Sequence, residues 1–463
     1  MMKKIWSKWA ALVIASVMVL MTACGENGPK DTSGAETEPA KSAEETSGTE
    51  APSSEAAEST EPEEIDIFAV DTPFMEYPQY VFDHEPTIAE MRAAAVDLMR
   101  KALSVEWYTP DSFEVTTSVS TTSFIQYERY AGIPYCGPNS SLYGFLEYLN
   151  PRTGRLLAED LVGKDTMLLG STLQASIGSS CSGTAAWAIS AVANSIHGTF
   201  QCYYMVYKNG WLPLGDYTYD LETPSFGKSD STAFTDDILK EYGEQRMFSC
   251  YALLEPADLV VWQDHKQMGH TMMAVENAVV VRNADGTISG DESYVLIQDQ
   301  RPGGFEQFDE TTGQKYHAQG RIDYKYTFAR LFKEGYIPVT IAEFQGTKAY
   351  EYPEVKLDMD KEITGPDDLN GIQIIRVESN YPLATLALFA ENKATGKRTR
   401  LNLKIFNRKE VADGTAMHYS LKGFASPVKK TGALASGEYR VTIEARTPNG
   451  QIFIPVDFDY TVE

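Results

Sequence analysis

Residues 25–64 contain no aromatic and no branched aliphatic side chain, so that stretch cannot bury enough apolar surface to offset its ordering entropy. It is chiefly Ser, Thr, Glu, Ala, Gly and Pro, with twelve acidic residues against Lys30 and Lys41, a local charge of −10. Like charges repel along such a segment and extend it. Residues 24–65 are therefore expected to form a disordered acidic tether, and any globular fold must be built from residues C-terminal to it. Three lysines ahead of the tether add +3, so −25 − (−10) − 3 leaves −18 on the remaining chain. A polyphosphate partner needs a basic footprint, so nucleic-acid binding is not expected.

The segment before the tether has its own layout. Lys3, Lys4 and Lys8 precede an apolar run over residues 9–21, followed by Thr22-Ala23-Cys24. A basic start, an apolar stretch short for a stable span and small residues before a cut make a signal peptide. Leu20-Met21-Thr22-Ala23-Cys24 resembles a bacterial lipoprotein lipobox, with Met21 where a branched aliphatic residue usually stands. The resemblance implies that residues 1–23 are removed and that Cys24 becomes a lipidated N-terminus. Two acyl chains hold a protein firmly to a bilayer, whereas one does so marginally. The expected location is extracytoplasmic, anchored to the bacterial cell membrane.

Beyond the tether, 26 Tyr and 20 Phe in a chain that is 43% hydrophobic supply ample core, and 463 residues suggest two or three domains. Ile88, Met91, Ala95, Leu98 and Ala102 recur at helical steps, and Thr87 with Glu90 forms a capping-box signature, so residues 87–103 are expected to be an amphipathic helix. From about residue 350 the pattern changes to short alternating strands. Tyr439, Val441, Ile443 and Ala445 alternate with polar residues up to Pro448-Asn449-Gly450, and Ile452, Ile454, Val456, Phe458, Tyr460 and Val462 alternate back as a hairpin. Further runs around residues 372–377, 386–389, 401–406 and 417–421 give sandwich-like spacing. Residues 355–463 therefore read as an all-β immunoglobulin-like sandwich, and residues 66–350 as a separate mixed domain.

That middle region holds the candidate chemistry. Of five cysteines, Cys136, Cys181, Cys202 and Cys250 remain after Cys24; two disulfides would consume all four in an oxidising compartment. Cys181 stands apart, because Gly178-Ser179-Ser180-Cys181-Ser182-Gly183 ends where an Ala-rich helix begins. A helix N-terminus offers unpaired N–H groups and a partial positive charge, which favour a thiolate and an oxyanion. His270 opens the apolar run Thr271-Met272-Met273-Ala274-Val275 and is a candidate base. His265, His270 and Asp264 match no strong zinc spacing, so neither a metal nor a cofactor is expected. Tyr294-Val295-Leu296-Ile297 leads to Gln298, Asp299 and Gln300 at an expected strand end, where one of the three could hold the imidazole in place.

These residues resemble the papain-like fold, particularly the NlpC-type cysteine peptidases of bacterial cell walls, over about residues 120–310. Tyr130-Ala131-Gly132-Ile133-Pro134-Tyr135 resembles the family's tyrosine-bearing entry segment, Cys181-Ser182-Gly183 its nucleophile turn, and Asp258-Leu259-Val260 with Gly269-His270 its strand leading to the base. About forty residues separate Tyr135 from Cys181, more than in compact members of that family. The resemblance implies an α+β papain-like domain with Cys181 as nucleophile, His270 as base, Asp299 as orienter and Gln174 as an oxyanion donor. It implies a cysteine hydrolase acting on amide bonds, with peptidoglycan stem peptides or a surface peptide as substrate. The alternative is a catalytically inactive papain-like surface lipoprotein that serves as a binding or adhesion module.

Overall fold

A computed structural model of the chain describes residues 77–107, 112–116, 121–135, 140–147, 149, 178–196, 202–207, 210–218, 235–264, 269–358, 362–370, 375–406, 417–430 and 432–463. The signal segment, the acidic tether, Cys24, Cys136, Gln174 and His265 lie outside the described residues. The described part is a mixed α+β structure with several β-sheets.

It begins with α1 (Ile88–Ser104), where Thr87 and Glu90 form the reciprocal capping box and Met91, Ala95, Leu98 and Ala102 are buried. Ile88 is the exception on that face: at the first helical position it overhangs the core and is exposed. Short strands follow as β1 (Glu106–Trp107), β2 (Phe113–Thr116), β3 (Thr121–Phe124) and β4 (Tyr130–Ala131). Then come α2 (Leu142–Leu146), α3 (Cys181–Ile189), α4 (Cys202–Tyr207), β5 (Trp211–Pro213), α5 (Thr235–Tyr242) and α6 (Glu244–Tyr251). The principal strands are β6 (Leu259–Gln263), β7 (Gly269–Ala274), β8 (Tyr294–Phe308) and β9 (Lys315–Thr327), followed by α7 (Phe328–Lys333) and β10 (Ile337–Ile341).

One sheet collects these strands in the order β1-β4-β9-β8-β7-β6-β10-β5. Its centre is antiparallel, with Trp262 opposite His270, Met273 opposite Gln298 and Asp299 opposite Arg321. Only the β4–β9 pairing is parallel among the pairs described in this sheet. The expected strand end at Gln300 is corrected by the structure, since β8 continues to Phe308. Its register against β9 shifts between Gln300 and Phe305, where Pro302 has no N–H to give and Gly304 takes a positive φ of 61°. The strand bends there but does not stop, so Asp299 lies within it.

The remaining elements are β11 (Val355–Leu357), α8 (Pro366–Asn370), β12 (Arg376–Ser379), β13 (Thr385–Asn392), β14 (Arg398–Ile405), β15 (Met417–Ser420), β16 (Gly437–Arg446) and β17 (Ile452–Val462). They form a three-stranded sheet, β11-β12-β15, and a four-stranded sheet, β14-β13-β16-β17. Val377 and Tyr419 of the first share one buried core with Leu386, Leu388, Val441 and Ile443 of the second. The hairpin forms as expected, but its return strand does not alternate throughout: Val456 and Phe458 are buried, whereas Ile452 and Ile454 face solvent. A register shift between Ile443 and Ala445 is the cause, because one extra residue turns the following side chains to the other face.

The turn of that hairpin also meets the first core. Tyr80 N–H donates to the Asn449 carbonyl at 2.8 Å, and Arg400 and Arg446 both pair with Glu147. Gly450, with φ of 88°, sits so close to Tyr143 that a Cβ there would lie 2.6 Å from the phenol oxygen and 2.6 Å from the Pro78 carbonyl. Glycine is required for the approach as well as the turn.

One buried ion pair fastens α1 to the large sheet. Arg92 reaches Asp258 at 3.0 Å and donates to the Pro256 carbonyl at 2.6 Å, with its guanidinium over the Phe344 ring. Asp258 is fully buried, and burial pushes its carboxyl above the usual range despite Arg92 and a bond from Thr340. Removing one partner of such a pair leaves an uncompensated charge. Arg92→Met is expected to cost about 3–5 kcal/mol, measured by urea unfolding; a loss below about 1 kcal/mol would contradict this account of the α1 contact.

Candidate active site

The sequence places Cys181 at a helix start, and the local chemistry explains why the helix begins there. Ser180 adopts an extended conformation and its hydroxyl accepts from the Gly183 N–H at 3.3 Å, capping α3. The helix is then Ala-rich, and every residue from Cys181 to Ile189 is buried, as expected for a helix apolar on all sides. It packs against α1, β7 and β8. The Cys181 side chain is 0% exposed.

His270 and Asp299 come together on adjacent strands. His270 Nε2 lies 2.6 Å from Asp299 Oδ2, and Asp299 is fully buried. On the other side of the carboxylate, Arg321 donates from Nε at 2.9 Å and from its terminal nitrogen at 2.8 Å, a bidentate clamp. Burial alone would raise the Asp299 carboxyl, but the bonds from His270 and Arg321 outweigh it and hold the group well below the usual carboxylate range. An ionised Asp299 accepts the Nε2 proton and so fixes the tautomer. Nδ1 has no hydrogen-bond partner among the described residues, which leaves it for proton transfer. The edge of the imidazole meets Tyr336, with ring centroids 6.4 Å apart.

Strand alternation separates the other two orienter candidates from this network. Gln298 donates to the Val96 carbonyl of α1 at 2.9 Å, and Gln300 donates to the Ile133 carbonyl at 2.7 Å while accepting from Thr184 of α3. On the neighbouring strand, Thr271 meets Cys202 and Met205 of α4. His270, Met272, Asp299 and Arg321 project from the opposite face, where Arg321 also stacks on Tyr324. The helix opened by Cys181 therefore docks on the face that carries Gln300, and the imidazole–carboxylate pair sits on the reverse. His270 is the second residue of β7.

Arg321 is the residue that sequence reasoning missed. Its signal was available only as a lone arginine in a strand, and nothing in spacing tied it to Asp299 before the β8–β9 register was known. Of the other cysteines, Cys250 is buried, and burial raises its thiol pKa. Among the described residues no disulfide is formed, so the two-bridge arrangement is not met by Cys181, Cys202 and Cys250. Asp299 has both oxygens engaged by His270 and Arg321 and is poorly placed to hold a cation.

Comparison with known proteins adds little. No family model matches the chain, and no curated protein matches it. Among solved structures, the tetra-tandem repeat in the extending region of a large adhesion protein aligns at 9% identity with a TM-score of 0.15. That alignment covers 44% of this chain and 41% of the other, and a likeness of this size carries no argument.

The depressed Asp299 carboxyl sets a pH dependence. A group whose folded pKa lies below its unfolded value of about 3.9 contributes stability above that value and loses it as pH falls toward the folded pKa. The urea midpoint is expected to fall between pH 5 and pH 2, and Asp299→Asn to show a smaller fall than the wild type. Identical acid sensitivity of the two proteins would mean that Asp299 is not held ionised.

Proposed function

We propose that this chain is a membrane-tethered extracytoplasmic cysteine hydrolase, with a papain-like, NlpC-type domain over residues 66–350 and an immunoglobulin-like sandwich over residues 355–463. Its substrates are amide bonds, in peptidoglycan stem peptides. The observation that carries this reading is the His270–Asp299 pair, with the Asp299 carboxylate clamped by Arg321, on strands against which the helix begun by Cys181 is packed. The proposed anchor is lipidated Cys24, with the acidic tether as spacer; among the described residues no helix is long and apolar enough to cross a membrane.

The chemistry assigned to these residues is acyl transfer. His270 Nδ1 takes the Cys181 thiol proton, and Sγ attacks the substrate carbonyl carbon. The oxyanion faces the Cys181 main-chain N–H, with Gln174 as the proposed second donor. Collapse breaks the C–N bond, and the amine leaves with the proton from Nδ1. Water then gives a proton to His270 and its oxygen to the thioester, releasing the acid and restoring the thiol.

A second reading is an inactive papain-like domain acting as a binding module. Two observations favour it: the Cys181 thiol is closed to solvent, and the helix it begins docks on the sheet face opposite His270 and Asp299. Turnover requires the chain around Cys181 to open and bring the thiol to Nδ1.

Digestion of purified peptidoglycan, followed by release of new amino termini, distinguishes the two. Cys181→Ala and His270→Ala should each lower turnover by roughly a millionfold, and Asp299→Asn by about a hundredfold less, as in a well-studied triad hydrolase. The melting temperature of Cys181→Ala should stay close to that of the wild type. Full hydrolysis by purified Cys181→Ala protein would overturn the mechanism, and a wild type without hydrolysis of any wall fraction would favour the binding module.

A further inference from the structure

We propose that the outer face of the three-stranded sheet carries a divalent transition-metal site, with Zn2+ as its best-matched ion, built from Asp358, Glu378 and His418. The residues are far apart in sequence, and no spacing motif joins them. The register of β12 and β15 puts Glu378 directly opposite His418. Asp358 follows β11, and its N–H donates to the Arg376 carbonyl of β12, which fixes it one step along the same face. Val377 and Tyr419 are buried beneath, so Glu378 and His418 point outward by strand alternation.

One ligand atom from each residue lies within 4.8 Å of the other two. His418 Nδ1 and Asp358 Oδ2 are 3.2 Å apart, close to the roughly 3.3 Å between two donors on a tetrahedral zinc with bonds of about 2.0 Å. Closing the set requires only that Glu378 turn toward that pair. Glu378 is now 3.6 Å from the Lys356 ammonium, its partner across β11 and β12. Lys356 is therefore the competing cation that a metal must displace, and Arg376 is the other positive group on this face.

The donor set selects the ion class. One imidazole with two carboxylates suits Zn2+, whereas Ca2+ takes oxygen ligands and needs six to eight of them. Three protein ligands leave a position for water. Each ligand comes from or adjoins a different strand, so the ion would tie β11, β12 and β15 together. Those strands have only three, four and four residues.

Full-length protein stripped with EDTA and titrated with Zn2+ against a chromogenic chelator tests the proposal. The wild type should bind one equivalent that His418→Ala and Asp358→Asn both lose and Cys181→Ala and His270→Ala both keep. Lys356→Ala should tighten that equivalent several-fold, because the competing ammonium is gone, and excess Ca2+ should not displace it. A wild type that binds no zinc, or a His418→Ala protein that binds zinc as the wild type does, overturns the proposal.

Discussion

A carboxylate with no exposed surface must be neutralised or paired, and Asp299 is bonded to His270 and Arg321 with the Arg301 guanidinium a further 3.9 Å away. Its position in the middle of the large sheet obliges β9 to present Arg321 directly across and β7 to present His270 beside it. A one-residue slip of β8 would turn Asp299 toward the helices and bring Gln298 or Gln300 to the imidazole. The buried charge thus ties the register of three strands to the chemistry of one ring. Arg321 is in turn held by the faces of Tyr324 and Tyr326, which a desolvated guanidinium favours. Such a pair adds little net stability over an apolar replacement, but losing one member is costly.

The two faces of the sheet divide the work. One receives α1, α3 and α4 through Gln298, Gln300 and Thr271, side chains that satisfy buried carbonyls and hydroxyls. The reverse face holds the imidazole and its two supports. In the proposed hydrolase the nucleophile lies on a fully buried helix and the base at the start of a neighbouring strand. The proposed reaction then depends on the chain around Cys181 opening, because the thiol is closed to solvent.

Much of this was legible in the sequence wherever one local rule decided the outcome. Thr87 with Glu90 fixed one helix start, the small polar run ending at Cys181 another, and Pro448-Asn449-Gly450 a hairpin, because each is a short-range hydrogen-bonding or turn problem. Reading failed where extra residues in one strand change a register. The bend after Gln300 carries β8 past its expected end, the shift at Ile443 inverts which side chains of β17 face inward, and alternation alone cannot reveal either. The choice among Gln298, Asp299 and Gln300 was open for the same reason. Arg321 and the Asp358, Glu378 and His418 cluster were invisible because pairing between distant strands creates them.

The reactivity of Cys181 tests the central claim most directly. In native protein at neutral pH, iodoacetamide labelling followed by peptide mass analysis gives separate rates for Cys181, Cys202 and Cys250. A nucleophile served by His270 should label far faster than the other two, and His270→Ala should remove that advantage. Equal, sluggish labelling of all three cysteines in the wild type would contradict the account.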